Sequence, residues 1–263
     1  MQTLLEKFGT SIVSMLKHDP YLLIKHLYGF GFKRVDQIAL KMGVAKTHPG
    51  RVEAAILHCL SEQVNNGHTW TPGPDLVDQA NDVLILDTLD SRELIQQAGN
   101  RLIERGDLIA DGHAVTLPSL RDDELRISRD LRQNGWEAPA HGIEHAPDAE
   151  LGADQREAYQ TALTSRISVI SGGAGTGKTF VVARLAKSFL GSGLSVALCA
   201  PTGKAAKRIE QLLGQHGVDA SASTMHRLLG YNGIEFREGL LPADVVIVDE
   251  VSMVDVRLMA ELP

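Results

Sequence analysis

Apolar residues in the first sixty positions recur at helical spacing. Leu5, Phe8, Ile12 and Leu16 share one face, and Leu23, Ile24 and Leu27 follow a helix start at Asp19-Pro20. A glycine-rich turn, Tyr28-Gly29-Phe30-Gly31-Phe32, leads into a helix with Val35, Ile38, Ala39 and Met42 on one side and Gly43 at its C-terminal end. A further helix is predicted over 50–63. From 68 to 120 the pattern alternates: helices over 75–80 and 91–105, extended pieces over 83–85 and 114–117, and a turn at Asp111-Gly112. That mixture fits a small winged-helix-like unit.

Around 134–154 no period of 2 or 3.6 persists, and prolines and glycines stand among scattered acids, so a domain boundary is placed there. Beyond it an apolar strand over 167–170 meets a glycine-rich turn and then a helix. Val182, Leu185, Ala186, Phe189 and Leu190 line one face of that helix, and Gly191 ends it. A strand over 194–199, a helix near 204–213 and a strand over 245–248 follow. Strands alternating with crossover helices mean a parallel sheet covered on both faces. The predicted organisation is multidomain: a helical module over 1–66, a winged-helix-like segment over 67–135, a linker over 136–150 and a P-loop α/β domain over 151–263.

Composition narrows this only a little. The 263 residues are 43% hydrophobic and 22% charged, which is ordinary for globular domains, and leave room for two of them. No stretch approaches the roughly 20 apolar residues that span a bilayer. The first residues mix Glu6 and Lys7 among leucines, unlike a secretory leader. Cys59 and Cys199 read as buried free thiols, so a cytoplasmic protein with no membrane partner is expected. A net charge of −7 argues against coating nucleic acid by overall charge, but leaves local grooves and backbone N–H groups open. His141 and His145 lack cysteine partners for a zinc site. Aromatics at 5% argue against a base-stacking platform.

The strongest chemical signal is Gly172-Gly173-Ala174-Gly175-Thr176-Gly177-Lys178-Thr179, a full G-x-x-x-x-G-K-[ST] match. Glycines let backbone N–H groups curl around phosphate oxygens, and the helix that follows aims its free N–H groups and positive dipole end at the same anion. Lys178 would reach the β- and γ-phosphates of ATP, and the Thr179 hydroxyl would ligate Mg²⁺. The partner of such a loop is an acid at the end of an apolar strand. Val245-Val246-Ile247-Val248-Asp249-Glu250 supplies it: Asp249 for the metal, through water, and Glu250 to orient and deprotonate the attacking water.

Further stretches appear in a fixed order: Gln155 in LGADQREAYQTAL, Thr202 in APTGKAAKR, Thr224 and His226 in STMHRLL, and VDEVSMVD. Together with the phosphate loop they resemble the ordered motifs of superfamily 1 helicases, and in wording the RecD family. The resemblance implies that Gln155 reads adenine, that Thr202 touches the backbone of single-stranded DNA, and that Thr224 and His226 lie on the same DNA side. A solvated helix glutamine, a helix cap at Thr202 and a core histidine are the plain alternatives. Lys204, Lys207 and Arg208 form a basic patch beside Thr202.

Near the N-terminus, Leu27-Tyr28-Gly29-Phe30-Gly31-Phe32-Lys33-Arg34 resembles the hairpin of a helix-hairpin-helix module. N–H groups around Gly29 and Gly31, with Lys33 close by, would grip a phosphate without base preference; a tight connection with structural glycines is the alternative. The family implies an ATP-dependent 5′→3′ DNA helicase acting on single strands or strand junctions. Its later motifs, second RecA-like domain and arginine fingers have no counterpart before Pro263. The expectation is therefore a nucleotide-binding half that does not unwind DNA alone and needs the missing second motor domain. Two other readings stay open: a DNA-binding module with a passive nucleotide sensor, and a motor subunit partnered by other subunits of a repair nuclease or conjugation complex.

Overall fold

The computed structural model describes residues 19–21, 23–24, 31–86, 91–134, 150–173 and 175–262. These divide into two compact units on either side of Asp122–Asp123.

The first unit is built on α1 (Phe32–Lys41), α2 (Pro49–Asn65), α3 (Gly73–Leu84) and α4 (Ser91–Glu104). Val52, Ala55, Ile56 and Leu60 of α2 pack with Leu76, Ala80 and Leu84 of α3 and with Ile95, Ala98 and Leu102 of α4. These spacings of three and four put each set on one helical face. Strands β1 (Thr71–Pro72), β2 (Ile109–Asp111) and β3 (Ala114–Thr116) form an antiparallel sheet in the order β1-β3-β2. The two-residue loop between β2 and β3 carries Gly112 at φ 57°, as a tight hairpin requires. Within 67–135, where a winged-helix-like unit is expected, lie α3, α4 and this small antiparallel hairpin sheet.

Two details of that expectation change. Residues 83–85 are not extended: Val83 and Leu84 finish α3, and Ile85 caps it in the left-handed region at φ 48°. The Leu76–Ala80–Leu84 spacing dominates over a short β-branched run. On α1 the buried face is Phe32, Val35, Asp36 and Ala39, whereas Ile38 and Met42 are 42% and 58% exposed. The face is turned by Asp36, which is drawn inward by two polar partners. The Tyr21 hydroxyl donates to its Oδ1 at 2.5 Å, and Arg51 donates to both carboxylate oxygens. Burial, helped by the Asp36 carboxylate, pushes the Tyr21 hydroxyl well above the usual tyrosine range. The other guanidinium nitrogen of Arg51 donates to the carbonyls of Lys46 and Leu84, which ties α1 and α2 to the end of α3.

Helix α5 (Pro118–Asn134) runs across the boundary at Asp122–Asp123. The second unit then holds α6 (Ala153–Thr164), α7 (Lys178–Gly191), β4 (Val196–Ala200), α8 (Gly203–Gln215), β5 (Ala222–Thr224), α9 (Met225–Leu228), β6 (Val245–Val248), a 3-10 turn (Val251–Met253) and α10 (Val256–Ala260). Strands β5, β4 and β6 are parallel, with β4 in the middle. Alternation assigns the faces. Val196, Leu198, Val245 and Ile247 meet the helices α7 and α8, while Cys199, Val246 and Val248 meet Met225 of α9 and Leu258 of α10. Both faces are covered, as the apolar strands require.

The predicted strand over 167–170 is absent from this sheet. No described strand pairs with it, and although Ile170 packs against the core of α6 and α7, Val169 is 71% exposed. An apolar run forms a strand only where a neighbour offers hydrogen bonds.

Candidate nucleotide site and the adjoining sheet edge

The phosphate loop joins the 167–173 segment to α7. Gly175 and Gly177 hold φ of 78° and 81°, conformations that side-chain-bearing residues rarely adopt. A Cβ on Gly172 would lie 2.8 Å from Thr176 Oγ1, and that hydroxyl donates to the Gly173 carbonyl at 2.9 Å. The loop is thus folded on itself so closely that glycine is the residue that fits. Ala174 lies outside the described residues. Lys178 opens α7, and its ammonium donates to the carbonyls of Gly172 (2.6 Å) and Gly173 (2.8 Å), which holds it over the loop. Thr179 follows in the first turn, where backbone N–H groups have no partner within the helix.

These residues fit a nucleoside triphosphate with Mg²⁺. The loop is a cradle that a Cβ would fill, bordered by a fixed cation and a helix N-terminus. Among the described residues no group of three or more His, Cys, Asp or Glu gathers to hold a metal alone. A Mg²⁺ shared with phosphates does not need one, since a carboxylate, a hydroxyl and waters suffice.

Gln155 stands in the first turn of α6 and reaches the loop. Its Oε1 accepts from the Gly152 N–H at 3.1 Å, and its Nε2 donates to the Thr176 carbonyl at 3.0 Å. Beneath the loop, α6 and α7 are locked by Leu151, Tyr159, Leu163, Val181, Leu185 and Phe189, and by the 2.6 Å bond between the Tyr159 and Ser188 hydroxyls.

The acid pair follows β6. Asp249 extends the ladder by one bond, its N–H to the Cys199 carbonyl at 2.9 Å, and its Oδ1 accepts from the Glu250 N–H at 2.9 Å. Glu250 is exposed and sits at φ 54°, left-handed for a residue with a side chain. Such a backbone costs about 1–3 kcal/mol and tends to occur where a side chain must be aimed.

The other expected residues gather at the carboxyl ends of β4 and β5. Thr202 caps α8, its hydroxyl accepting from the Ala205 N–H at 3.2 Å; Thr224 caps α9 and accepts from the Arg227 N–H at 3.2 Å. Ala200 and Thr224 pair across the sheet, and a Cβ on Gly203 would touch the Thr224 methyl, so the two caps are neighbours. Lys204, Lys207 and Arg208 are exposed on α8. His226 is exposed rather than a core residue; its ring lies 5.5 Å from Tyr231 and 6.1 Å from Phe236, which are themselves 4.8 Å apart. The Arg257 guanidinium stands 5.9 Å from the Phe236 ring. Few aromatics overall predicted no stacking surface, yet three rings collect here. Composition is blind to such grouping, because Tyr231 and Phe236 come from an irregular loop without periodicity.

In the first unit, Gly31 caps α1 at φ −72°, with open space where a Cβ would point, and Lys33 and Arg34 are exposed in the first turn. Gly29 lies outside the described residues.

Comparison with known proteins agrees with both ends of the chain. A family described as the ATP-dependent RecD2 DNA helicase HHH domain matches residues 1–70, and one described as an AAA domain matches residues 155–263. The chain is 31% identical to the ATP-dependent RecD2 DNA helicase of Deinococcus radiodurans over 99% of its own length and 38% of the relative's. Similarity to the RecBCD enzyme subunit RecD of Mycobacterium tuberculosis is 40%, over 41% of this chain and 23% of that one. With the Haemophilus influenzae RecD subunit it is 36%, over 41% and 21%. The chain thus spans well under half the length of these relatives. No helix among the described residues is long and apolar enough to cross a membrane.

Proposed function

We propose that this chain is part of a RecD-like helicase, the nucleotide-binding half of an ATP-dependent DNA motor that moves 5′→3′ along a single strand. The observation that carries this reading is the presence in one unit of a glycine-tight phosphate loop feeding α7 and of the helix-capping threonines Thr202 and Thr224, neighbours beside exposed Lys204 at the carboxyl ends of β4 and β5. Gln155 is assigned the adenine, Lys178 and the N–H groups of residues 172–179 the phosphates, and Thr179 with Asp249 the Mg²⁺. When bound, the metal neutralises charge on the phosphate oxygens. Glu250 orients the attacking water and takes its proton.

The functional organisation proposed is a helix-hairpin-helix module over 1–66 that grips DNA backbone through the 29–33 hairpin. It continues with a winged-helix-like segment to 135, a linker, and a first RecA-like domain from 151. Hydrolysis coupled to movement calls for a second motor domain with arginine fingers, worth roughly 10³–10⁵ in rate in related phosphoryl transfer. The subunits of a repair complex are candidate partners.

The test is ATP hydrolysis by the full-length protein with and without single-stranded DNA. DNA should stimulate turnover, and Lys178→Ala should abolish the stimulated rate while the protein still binds DNA. Turnover indifferent to DNA, or surviving Lys178→Ala, would refute the motor reading.

A further inference from the structure

We infer that Gln155 positions the phosphate loop itself, so that one side chain sets both base recognition and the direction of a phosphate-binding N–H. The inference rests on the nucleotide reading of the loop and concerns how that site is held.

The Gln155 amide is committed at both ends. Its Oε1 takes the Gly152 N–H, which fixes the amide flip, and the –NH₂ end therefore faces the loop and donates to the Thr176 carbonyl at 3.0 Å. That carbonyl belongs to the peptide joining Thr176 to Gly177. In a planar trans peptide the C=O and the next N–H point in opposite directions. Holding the Thr176 carbonyl toward Gln155 therefore turns the Gly177 N–H away from it, at the residue that caps α7. The approach is close. A Cβ on Gly177 would lie 2.5 Å from Gln155 Nε2, so residue 177 needs glycine for this contact as well as for its φ of 81°.

The amide retains capacity for a base. A primary amide offers two N–H donors and two acceptor lone pairs, and the contacts to Gly152 and Thr176 use one of each. One donor and one acceptor remain, the complement of the adjacent N7 acceptor and N6 amino donor of adenine. A base engaging the free half shares the amide that steers the loop.

The two roles separate when the ligand has no base. Equilibrium binding of Mg²⁺–tripolyphosphate and of Mg²⁺–ATP would be measured for the whole protein, wild type, Gln155→Ala and Gln155→Glu. The glutamate variant keeps size and the acceptor for Gly152 but cannot donate to Thr176, and its charge also repels a polyphosphate, so the uncharged alanine variant, shown by circular dichroism to be folded, isolates the loop contact. Tripolyphosphate affinity should fall about threefold to tenfold in the alanine variant, the worth of one net hydrogen bond, and further in the glutamate variant; ATP affinity should fall further still in each. Unchanged tripolyphosphate binding with weakened ATP binding would overturn the inference and leave Gln155 as a base reader only. A wild type that binds neither ligand would instead remove the nucleotide reading beneath it.

Discussion

Arg51 meets Asp36 through two parallel bonds, Nε to Oδ1 at 2.7 Å and Nη2 to Oδ2 at 3.0 Å, with both side chains nearly sealed from water. Such a pair is more informative when broken than when counted. Asp36→Ala leaves a buried guanidinium unmatched, and urea unfolding of the helical unit should show a loss of about 3–5 kcal/mol. Pairing Asp36→Leu with Arg51→Met should return much of that loss, because well-packed apolar groups replace a buried ion pair at little cost. Recovery stays incomplete, since Arg51 also serves the Lys46 and Leu84 carbonyls. A single-variant loss below about 1 kcal/mol would mean that the pair is solvated in solution.

Glu250 combines a proposed chemical role with a left-handed backbone at φ 54°. Glu250→Gln should leave nucleotide binding intact and lower hydrolysis about 10²–10⁴-fold, the usual contribution of a positioned base. Glu250→Gly should be as inactive yet no less stable than wild type, because glycine relieves the strained φ and offsets its own entropy cost. Thermal melts beside single-turnover hydrolysis read both. Destabilisation by the glycine variant would show that the side chain, not the backbone, holds the turn.

How far the sequence reveals this structure depends on what each pattern can encode. Helices α2, α4, α7 and α8 and strand β6 follow directly from apolar spacing, and the phosphate loop from its glycines and lysine. Helix α5 escapes that reading because charged residues interrupt its apolar positions. The inward turn of Asp36 is invisible to a count of apolar faces, since its partners Tyr21 and Arg51 come from fifteen residues away on either side. Strands β1 and β2, of two and three residues, are too short to carry a period. Residues 167–170 have the composition of a buried strand but lack a described neighbour to pair with. Of the proposed site, Thr202 and Thr224 were legible as separate residues, whereas their adjacency arises from the parallel register of β4 and β5.

Thr202 serves as a helix cap and is also proposed to touch DNA, and charge can separate the two roles. Aspartate caps helices as well as threonine does, so Thr202→Asp should keep stability within about 0.5 kcal/mol, whereas Thr202→Ala should lose about 1 kcal/mol. A carboxylate beside a phosphate is repelled, so the aspartate variant should bind single-stranded DNA at least about tenfold more weakly. If DNA affinity follows stability across the two variants, Thr202 is a cap alone.

Burial pushes the thiols of Cys59 and Cys199 up to about 11. Both should resist alkylation at pH 8 in the folded protein and react when urea exposes them. The sign of the pH effect follows. Between the ordinary thiol range near 9 and about 11 the unfolded chain has lost these protons while the folded chain retains them, so stability falls as pH rises through that window. Urea midpoints from pH 8 to 11 should decline, and less steeply when Cys59→Ala and Cys199→Ala are combined.

The rings of His226, Tyr231 and Phe236 predict a DNA contact of different character from the one proposed for Lys204. Tyr231 is 38% exposed, and its hydroxyl donates to the Gly233 carbonyl at 3.0 Å, which steadies the ring at the surface. Stacking of a base on such a ring is worth about 1–3 kcal/mol and depends little on salt, whereas an ammonium on a phosphate releases a counterion. Tyr231→Ala should therefore weaken oligonucleotide binding at every salt concentration and leave the slope of log K against log salt unchanged. Lys204→Ala should instead flatten that slope by about 0.7, the value of one phosphate contact on a single strand. Fluorescence anisotropy of a labelled oligothymidine across a salt series separates them. A slope that changes with Tyr231→Ala would mean that the ring acts by placing a cation such as Arg257, 5.9 Å from Phe236, rather than by stacking.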